Sequence, residues 1–226
     1  MLPWRELATA TTPQGSAIRL LRRGDEFSIR LEGGNELMNS RLSGSEEALA
    51  TLAFDHLGGR RAPRVLIGGL GMGFTLRAAQ TVAPPDALLI VSEIVPDLID
   101  WATQHMTTVF GECLSDQRVQ VRTGDVGASI NEATAAFDAI LLDVDNGPDG
   151  LSRVGNNALY SEAGLLSARR ALTIGGVLAV WSAAPDQSFS KRLSRCGFDV
   201  LAQTVRADRK KRGARHTIWV AVRTDG

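Results

Sequence analysis

The chain has few of the residues that build metal centres or disulfide frameworks. Its 226 residues include only two cysteines, Cys113 and Cys196, and three histidines. No Cys-x-x-Cys pair occurs, and no cysteine–histidine cluster has the spacing of a zinc site. We therefore expect no bound metal, and we expect both cysteines to lie in or near the core as small apolar residues.

Long apolar runs and an excess of one charge are also absent. No apolar run approaches the ~20 residues that cross a bilayer, and residues 1–6 lack the apolar core of a signal peptide. Lysine plus arginine number 25 and aspartate plus glutamate number 25, so the formal net charge is zero and no overall field favours nucleic acid or an anionic membrane. The sequence predicts a soluble cytoplasmic protein without a membrane partner, and a nucleic-acid partner is not favoured.

The N-terminal part of the chain has a short, strand-like pattern. Residues 17–38 contain two apolar segments separated by a polar Gly-Asp turn, which predicts a hairpin. A helix is expected over 45–57, with Ser45 as its N-cap and two glutamates that favour the N-terminal end of the helix dipole. We therefore predict a small β-hairpin extension over 1–44, followed by the main domain over 45–226.

The rest of the chain alternates strands and helices. The predicted strands are 65–67, 87–92, 119–121, 137–142, 177–181, 199–205 and 217–222, and the predicted helices are 75–82, 96–105, 128–135, 158–172 and 187–196. Such alternation implies an α/β fold with a mostly parallel sheet covered on both faces. The loop between the last two strands is too short for a crossover helix, so these strands are expected to pair antiparallel. The expected architecture is a Rossmann-like class I methyltransferase fold with seven strands and an antiparallel last strand.

A glycine-rich loop follows the first strand of the main domain and precedes a helix. Gly69, Gly71 and Gly73 form a G-x-G-x-G pattern, in which the missing Cβ atoms let the backbone approach a ligand. Free N–H groups at the start of the helix attract electron-rich atoms. The third glycine of the dinucleotide fingerprint would fall on Phe74, and no G-x-x-x-x-G-K-[ST] phosphate motif occurs. A tight βα turn without a ligand is the alternative interpretation.

Three acidic residues stand at or just after the ends of successive strands. Glu93 is placed to accept hydrogen bonds from ribose hydroxyls, Asp125 could accept one from an adenine amino group, and Asp143 ends the fourth strand. Each could instead be a helix cap or a solvated loop charge. The carboxyl ends of parallel strands lie at one edge of a sheet, so the three acidic residues are expected to lie close to the glycine loop. Together they predict a nucleoside site. The predicted cofactor-binding residues are Gly69, Leu70, Gly71, Gly73, Glu93, Ile94, Gly124, Asp125, Val126 and Asp143.

The loop after the fourth strand is rich in acids and glycines. Carboxylates close together repel one another, which raises the pKa of one of them and makes it a usable base. They also suit a cationic substrate. We therefore take Asp143 and Asp145 as the candidate catalytic residues. A solvated turn built on Asn-Gly and Asp-Gly is the alternative.

Four segments together resemble spermidine synthase and its relatives. These are residues 65–69, 92–94, 124–125 and 137–143 with the Gly-Pro loop that follows, and the similarity extends over roughly 36–182. The resemblance implies aminopropyl transfer from decarboxylated S-adenosylmethionine to an amine, within a homodimer. It also implies that Glu93 holds ribose and Asp125 holds adenine. Asp143 then deprotonates or orients the attacking amine, with Asp145 as a second amine contact.

The chain departs from that family at three places. The family's loop is typically GGGDGG, and its aspartate position is occupied here by Gly71. The family's DSSDP loop is replaced by a sequence with Asp143 and Asp145 separated by valine. The helix over 45–57 lacks the family's tyrosine, and the chain's one tyrosine is Tyr160. Three functions stay open: a spermidine-synthase-like transferase with a small-molecule acceptor, an S-adenosylmethionine-dependent methyltransferase acting on a small molecule or RNA, and a nucleoside-binding protein without catalysis.

A basic cluster over 206–216 lies between the last two predicted strands. It begins with Arg206 and ends with His216, and five further arginine or lysine residues lie between them. A solvated hairpin tip, a contact to an anionic substrate and a contact to RNA phosphates are all compatible with it. No aromatic residues interleave with these charges, so base stacking is not indicated.

Overall fold

The chain folds around two β-sheets. A computed structural model describes residues 2–144, 156–208 and 213–225. The strands are β1 (Arg5–Thr11), β2 (Ala17–Arg23), β3 (Glu26–Leu31), β4 (Glu36–Asn39), β5 (Arg64–Gly68), β6 (Leu88–Glu93), β7 (Val119–Thr123), β8 (Phe137–Leu142), β9 (Leu172–Ser182), β10 (Phe198–Arg206) and β11 (Arg215–Arg223). The helices are α1 (Gly44–Leu57), α2 (Phe74–Val82), α3 (Pro96–Gln104), α4 (Thr107–Phe110), α5 (Val126–Glu132), α6 (Asn156–Tyr160), α7 (Glu162–Ala171) and α8 (Gln187–Arg195), with a 3₁₀ turn at Cys113–Ser115.

The N-terminal sheet has four antiparallel strands in the order β1-β2-β3-β4. The predicted hairpin corresponds to β2 and β3, whose alternating residues Ile18, Leu20, Phe27 and Ile29 are buried. Strands β1 and β4 were not predicted, because β1 is mostly exposed and the four residues of β4, two exposed and two half-buried, are too few to show an apolar alternation. The inner face of this sheet shares one buried cluster with α1. The division at residues 44 and 45 stays a prediction.

The second sheet has seven strands in the order β10-β11-β9-β8-β5-β6-β7. Strands β7, β6, β5, β8 and β9 are parallel, whereas β11 is antiparallel to both β9 and β10. This is the predicted Rossmann-like methyltransferase architecture, and the prediction is confirmed. The order of strands reverses at β5, which has β6 on one side and β8 on the other. Open α/β sheets bind ligands at the carboxyl ends of the strands at such a switch point.

Both faces of the large sheet are buried, as expected for parallel strands. In β5, Val65 and Ile67 face the cluster that contains α1 to α3 and the N-terminal sheet. Leu66 faces the opposite cluster, which contains residues of α5, α7 and α8. Cys196 is buried, Cys113 is half-buried against the first cluster, and both are free thiols. Within the described residues, no helix has the length and apolar character that crossing a membrane requires.

Two details of the predicted helices were wrong. Ser45 is not the N-cap of α1, because the helix begins one residue earlier and Ser43 occupies the cap position without a side-chain cap bond. The Ser45 hydroxyl instead bonds neighbouring side chains. The single helix expected over 158–172 is two helices, and the break occurs at Ser161, whose Oγ accepts a hydrogen bond from the Gly164 N–H at 3.1 Å. Residue Leu172 already belongs to β9, where it pairs with Phe137.

Candidate active site

A cavity lies at the carboxyl ends of the central strands, at the switch point beside β5. Its floor is formed by the glycine loop and by the residues that follow β6, β7 and β8. Helix α1 contributes Glu46, and the N-terminal sheet contributes Ile18, Ile29 and Met38. The four-stranded sheet therefore forms one wall of the cavity.

The glycine loop is shaped by contacts that exclude side chains at two positions. Gly69 has a φ of +87°, and a Cβ there would lie 3.0 Å from the carbonyl oxygen of Asp143. Gly73 has a φ of +74°, and a Cβ there would lie 2.6 Å from Cε1 of Phe110. Gly69, Leu70 and Gly71 line the cavity as predicted, whereas Gly73 caps α2 at the back of the loop. Only glycine fits these conformations without strain.

Glu93 fastens the glycine loop to the turn that follows β6. Its Oε2 accepts a hydrogen bond from the Leu70 N–H at 2.8 Å, and its Oε1 accepts one from the Val95 N–H at 2.9 Å. The carboxylate is buried, and Glu93 and Ile94 both line the cavity. The side chain is thus held in one orientation before any ligand binds.

Asp125 both caps a helix and lines the cavity. Its Oδ1 accepts a hydrogen bond from the Gly127 N–H at 2.8 Å and so caps α5, which was one of the alternatives for this residue. It also lines the cavity, together with Gly124 and Val126. A carboxylate oxygen has two lone pairs, so capping and ligand binding are compatible.

Asp143 lies at the end of β8 and faces the cavity. Its Oδ2 accepts a hydrogen bond from the Thr75 hydroxyl at 2.7 Å, which ties the start of α2 to this strand. Burial raises the pKa of Asp143 above its usual range, and the bond from Thr75 opposes that shift. The next carbonyl, that of Val144, accepts a hydrogen bond from the buried Tyr160 hydroxyl at 3.2 Å. The second predicted catalytic residue, Asp145, lies outside the described residues.

Glu46 is a further acidic residue of the cavity that the sequence did not predict as functional. Burial, and then the charge of Asp143, raise its pKa from 4.5 to about 7, while a hydrogen bond from the Ser45 hydroxyl at 2.8 Å opposes the shift. A carboxyl group whose pKa lies near 7 can take up a proton at neutral pH, and the charge of Asp143 contributes to that shift in Glu46. Its place in the first turn of α1 indicated only a favourable dipole interaction, because the sequence does not show what α1 faces.

The ionisable side chains described in the lining of the cavity are all acidic. Five carboxyl residues line it, namely Glu36, Glu46, Glu93, Asp125 and Asp143, and none of the described lining residues is lysine, arginine or histidine. Glu36 forms a salt bridge with Arg41 at 2.9 Å. Such a lining suits a ligand that is neutral or cationic and disfavours phosphates. The basic cluster predicted over 206–216 is separate from this lining, and its residues 209–212 lie outside the described part of the chain.

The comparisons with known proteins agree with this architecture. No family model matches the chain, and no curated protein matches its sequence. Among solved structures, a spermidine synthase from Thermotoga maritima aligns with a TM-score of 0.75 at 18% identity, over 96% of this chain and 72% of that one. A spermidine synthase in complex with the transition-state analogue AdoDATO aligns with a TM-score of 0.74 at 18% identity, over 96% and 72% of the two chains. The chain therefore has the fold of the spermidine synthases, and the resemblance predicted from the motifs is confirmed at the level of fold.

Proposed function

We propose that the cavity binds a sulfonium nucleoside of the S-adenosylmethionine type and that the protein transfers an aminopropyl group from its decarboxylated form to an amine. The observation that carries this proposal is the one-sided charge of the cavity: five carboxyl residues and no described cationic lining residue. A sulfonium and an amine are both cations, and carboxylates attract both of them. A dinucleotide, which brings phosphates, does not suit this lining.

The nucleoside half of the proposal rests on the floor of the cavity. Glu93 is fixed by two backbone N–H groups beside the glycine loop, where it can accept hydrogen bonds from ribose hydroxyls. Asp125 stands at the end of the adjacent strand, where it can accept from an adenine amino group. Glu93 ends β6 and Asp125 stands two residues after β7, so both lie at the carboxyl edge of the sheet beside the switch point at β5, where such folds bind nucleosides.

The transfer half rests on Asp143 and Glu46. Asp143 holds the amine as a cation, and a carboxyl group with a pKa near 7 accepts the amine's proton at neutral pH. The freed nitrogen lone pair attacks the carbon next to the sulfonium, and the carbon–sulfur bond breaks with its electron pair moving to sulfur. Most of the rate enhancement comes from holding nitrogen and carbon in line.

The same carboxylates favour the decarboxylated form of the nucleoside over the complete one. S-adenosylmethionine carries a carboxylate next to its amine, and like charges in a partly buried site repel one another. Glu46 also supplies a negative charge that the glycine loop itself lacks at Gly71. We expect the decarboxylated form to bind at least about tenfold more tightly, which corresponds to about 1.4 kcal/mol.

Isothermal titration calorimetry and a product assay test this proposal. Decarboxylated S-adenosylmethionine, S-adenosylmethionine and methylthioadenosine are titrated into the protein, and mass spectrometry follows adducts of a panel of diamines. Glu93→Gln is expected to weaken all three nucleosides, whereas Glu46→Gln is expected to reduce only the preference for the decarboxylated form. Failure of all three nucleosides to bind would sink the proposal. Tighter binding of S-adenosylmethionine would favour methyl transfer, and binding without any adduct would favour a nucleoside-binding protein.

A further inference from the structure

A chain of hydrogen bonds leads from the cavity to the far side of α1. The Ser45 hydroxyl donates to Oε2 of Glu46 at 2.8 Å, and the Ser45 Oγ is 2.8 Å from Nδ1 of His216 on β11. The two ends of this second contact are 171 residues apart in the sequence. Glu46 lines the cavity, whereas His216 is outside the lining. The hydrogen bonds thus join a residue of the cavity to one that lies outside its lining.

Ser45 is the middle member of this chain, and its surroundings leave it few other roles. The residue is fully buried in the first turn of α1, and it does not cap that helix. A serine hydroxyl has one hydrogen to donate and two lone pairs to accept with. When Glu46 is ionised, Ser45 donates to it and accepts from Nδ1–H of His216. When Glu46 is protonated, the hydroxyl can turn and donate to an unprotonated Nδ1.

His216 can pass a proton because it has two ring nitrogens. Burial lowers its pKa below the ordinary value, so the ring is neutral at pH 7. The ring is half-buried and packs edge-on against Trp181, with the centroids 4.7 Å apart. A neutral imidazole accepts a proton at one nitrogen and releases one from the other.

The charged groups that act on Glu46 favour its protonated form. Asp143 at the end of β8 and Glu47 on the same helix both act on it, and both are acidic. Among the described residues, neither Glu46 nor Asp143 forms a salt bridge with a basic side chain. Asp143 itself bonds Thr75 rather than Ser45, so Glu46 is the carboxyl group from which the chain starts.

We propose that Glu46, Ser45 and His216 form a proton path that removes the acceptor amine's proton from the cavity. The inference rests on the proposed transfer to an amine. The amine gives its proton to the Glu46 carboxylate; Glu46 then protonates Ser45 Oγ as Ser45 gives its own hydrogen to Nδ1 of His216. His216 then releases the proton on Nε2 to water, and a flip of its ring returns an unprotonated nitrogen to Ser45 Oγ before the next turnover. Only protons move, and no group is oxidised or reduced. Glu46 touches the substrate, and Ser45 and His216 act through it as positioning residues.

A titration without any substrate tests the coupling within the path. The protein is labelled with ¹⁵N-histidine, and His216→Gln assigns the ring signals of His216. In the wild-type protein these signals are expected to respond near pH 7, when Glu46 titrates, as well as at the pKa of His216 itself. The response near pH 7 should vanish in Ser45→Ala and in Glu46→Gln. Unchanged titration of His216 in both variants would overturn the path.

Steady-state kinetics test its use in turnover. Ser45→Ala and His216→Gln are each expected to lower kcat about tenfold, which is less than the full effect of general acid–base catalysis. The KM for the nucleoside should not change, whereas the pH profile of kcat should shift. Ser45→Thr, which restores a hydroxyl, should recover most of the rate. The control is His56→Gln, since His56 is exposed on α1 and its ring bonds only the Leu52 carbonyl in the described structure.

The outcomes separate the path from the function on which it rests. Full kcat and an unchanged pH profile in Ser45→Ala would overturn the path and leave aminopropyl transfer standing. A wild-type protein that binds nucleosides but transfers nothing to any amine would instead remove the proposed function, and the path with it. Circular dichroism melting of each variant establishes that a lower rate is not a loss of fold.

Discussion

The Thr75 hydroxyl donates a hydrogen bond of 2.7 Å to Oδ2 of Asp143, so the helix after the glycine loop is tied directly to the acid that ends β8. Burial raises the pKa of Asp143, and this bond is the contact that opposes the rise. Thr75 therefore favours the ionised form of Asp143. The same hydroxyl lies 3.3 Å from the backbone carbonyl oxygen of Glu46, so Thr75 contacts both Asp143 and Glu46.

Replacing Thr75 with valine should weaken amine binding. The isosteric side chain removes the hydrogen bond that lowers the pKa of Asp143 and that holds its carboxylate in place for the amine. A hydrogen bond to a charged group contributes about 1.5–3 kcal/mol, so we expect the KM for the amine to rise at least about tenfold. Thr75→Ser keeps the hydroxyl and should stay close to wild type. Equal KM values in both variants would contradict the assigned role of this bond.

The raised pKa of Glu46 predicts a specific dependence of stability on pH. Its pKa in the folded protein is about 7, above the ordinary value of 4.5. Between these values the folded state binds more proton than the unfolded state, so stability falls as pH rises through that window. We expect a loss of about 1–2 kcal/mol, less than the full shift would give, because cavity water screens the charge. Urea unfolding at pH 5 and pH 7.5 should show a larger loss in wild type than in Glu46→Gln, in which Asp143 still contributes; equal losses in the two proteins would exclude the role of Glu46.

Asp138 should show the opposite dependence on pH. Burial raises its pKa, but hydrogen bonds from the Arg64 N–H, the Arg60 guanidinium and the Thr173 hydroxyl outweigh burial, so the pKa lies below the ordinary value. The stability that this carboxylate adds is present above about pH 4 and is lost as pH falls further. Asp138→Asn should cost about 1–3 kcal/mol at pH 7, since Arg60 then lies near a neutral partner.

Acid titration of unfolding checks the Asp138 prediction. The difference in the free energy of unfolding between wild type and Asp138→Asn should shrink below about pH 4. The salt bridge from Arg60 Nη1 to Asp138 Oδ1 is 2.7 Å long and links the end of α1 to β8. A difference that stays constant down to pH 2 would show that the charge of Asp138 is not what stabilises this junction.

Gly73 should tolerate alanine less well than Gly71. At Gly73 the backbone has a φ of +74°, and an added Cβ would come within 2.6 Å of the Phe110 ring. At Gly71 the φ is +52° and the nearest atom, Sδ of Met38, is 3.7 Å away. Both variants carry left-handed strain of about 1 kcal/mol, but Gly73→Ala adds overpacking of about 1–3 kcal/mol. Thermal melting should place Gly73→Ala well below Gly71→Ala, and equal melting temperatures would contradict the clash.

The sequence alone determined the large sheet and the floor of the cavity. Strands β5, β6 and β8 are nearly continuous apolar runs, which parallel strands buried on both faces require. Glu93 ends β6 and Asp143 directly follows β8, while Asp125 stands two residues after β7. Because parallel strands place their carboxyl ends on one edge, their convergence on a single cavity followed from local patterns. Their roles toward a ligand stay predictions.

Only the tertiary structure decided which residues complete the cavity from outside the sheet. Helical spacing places Glu46 on the same face of α1 as Leu49 and Ala53, but only the packing of α1 shows that this face brings Glu46 to Asp143. Ser45 and His216 meet because α1 packs across β11. Strand β4 brings Met38 to the cavity although its residues show no strand pattern. Apolar periodicity shows which residues of a segment are buried and which are exposed. It does not show which distant segment the buried residues contact, because the packing of the whole chain sets those contacts.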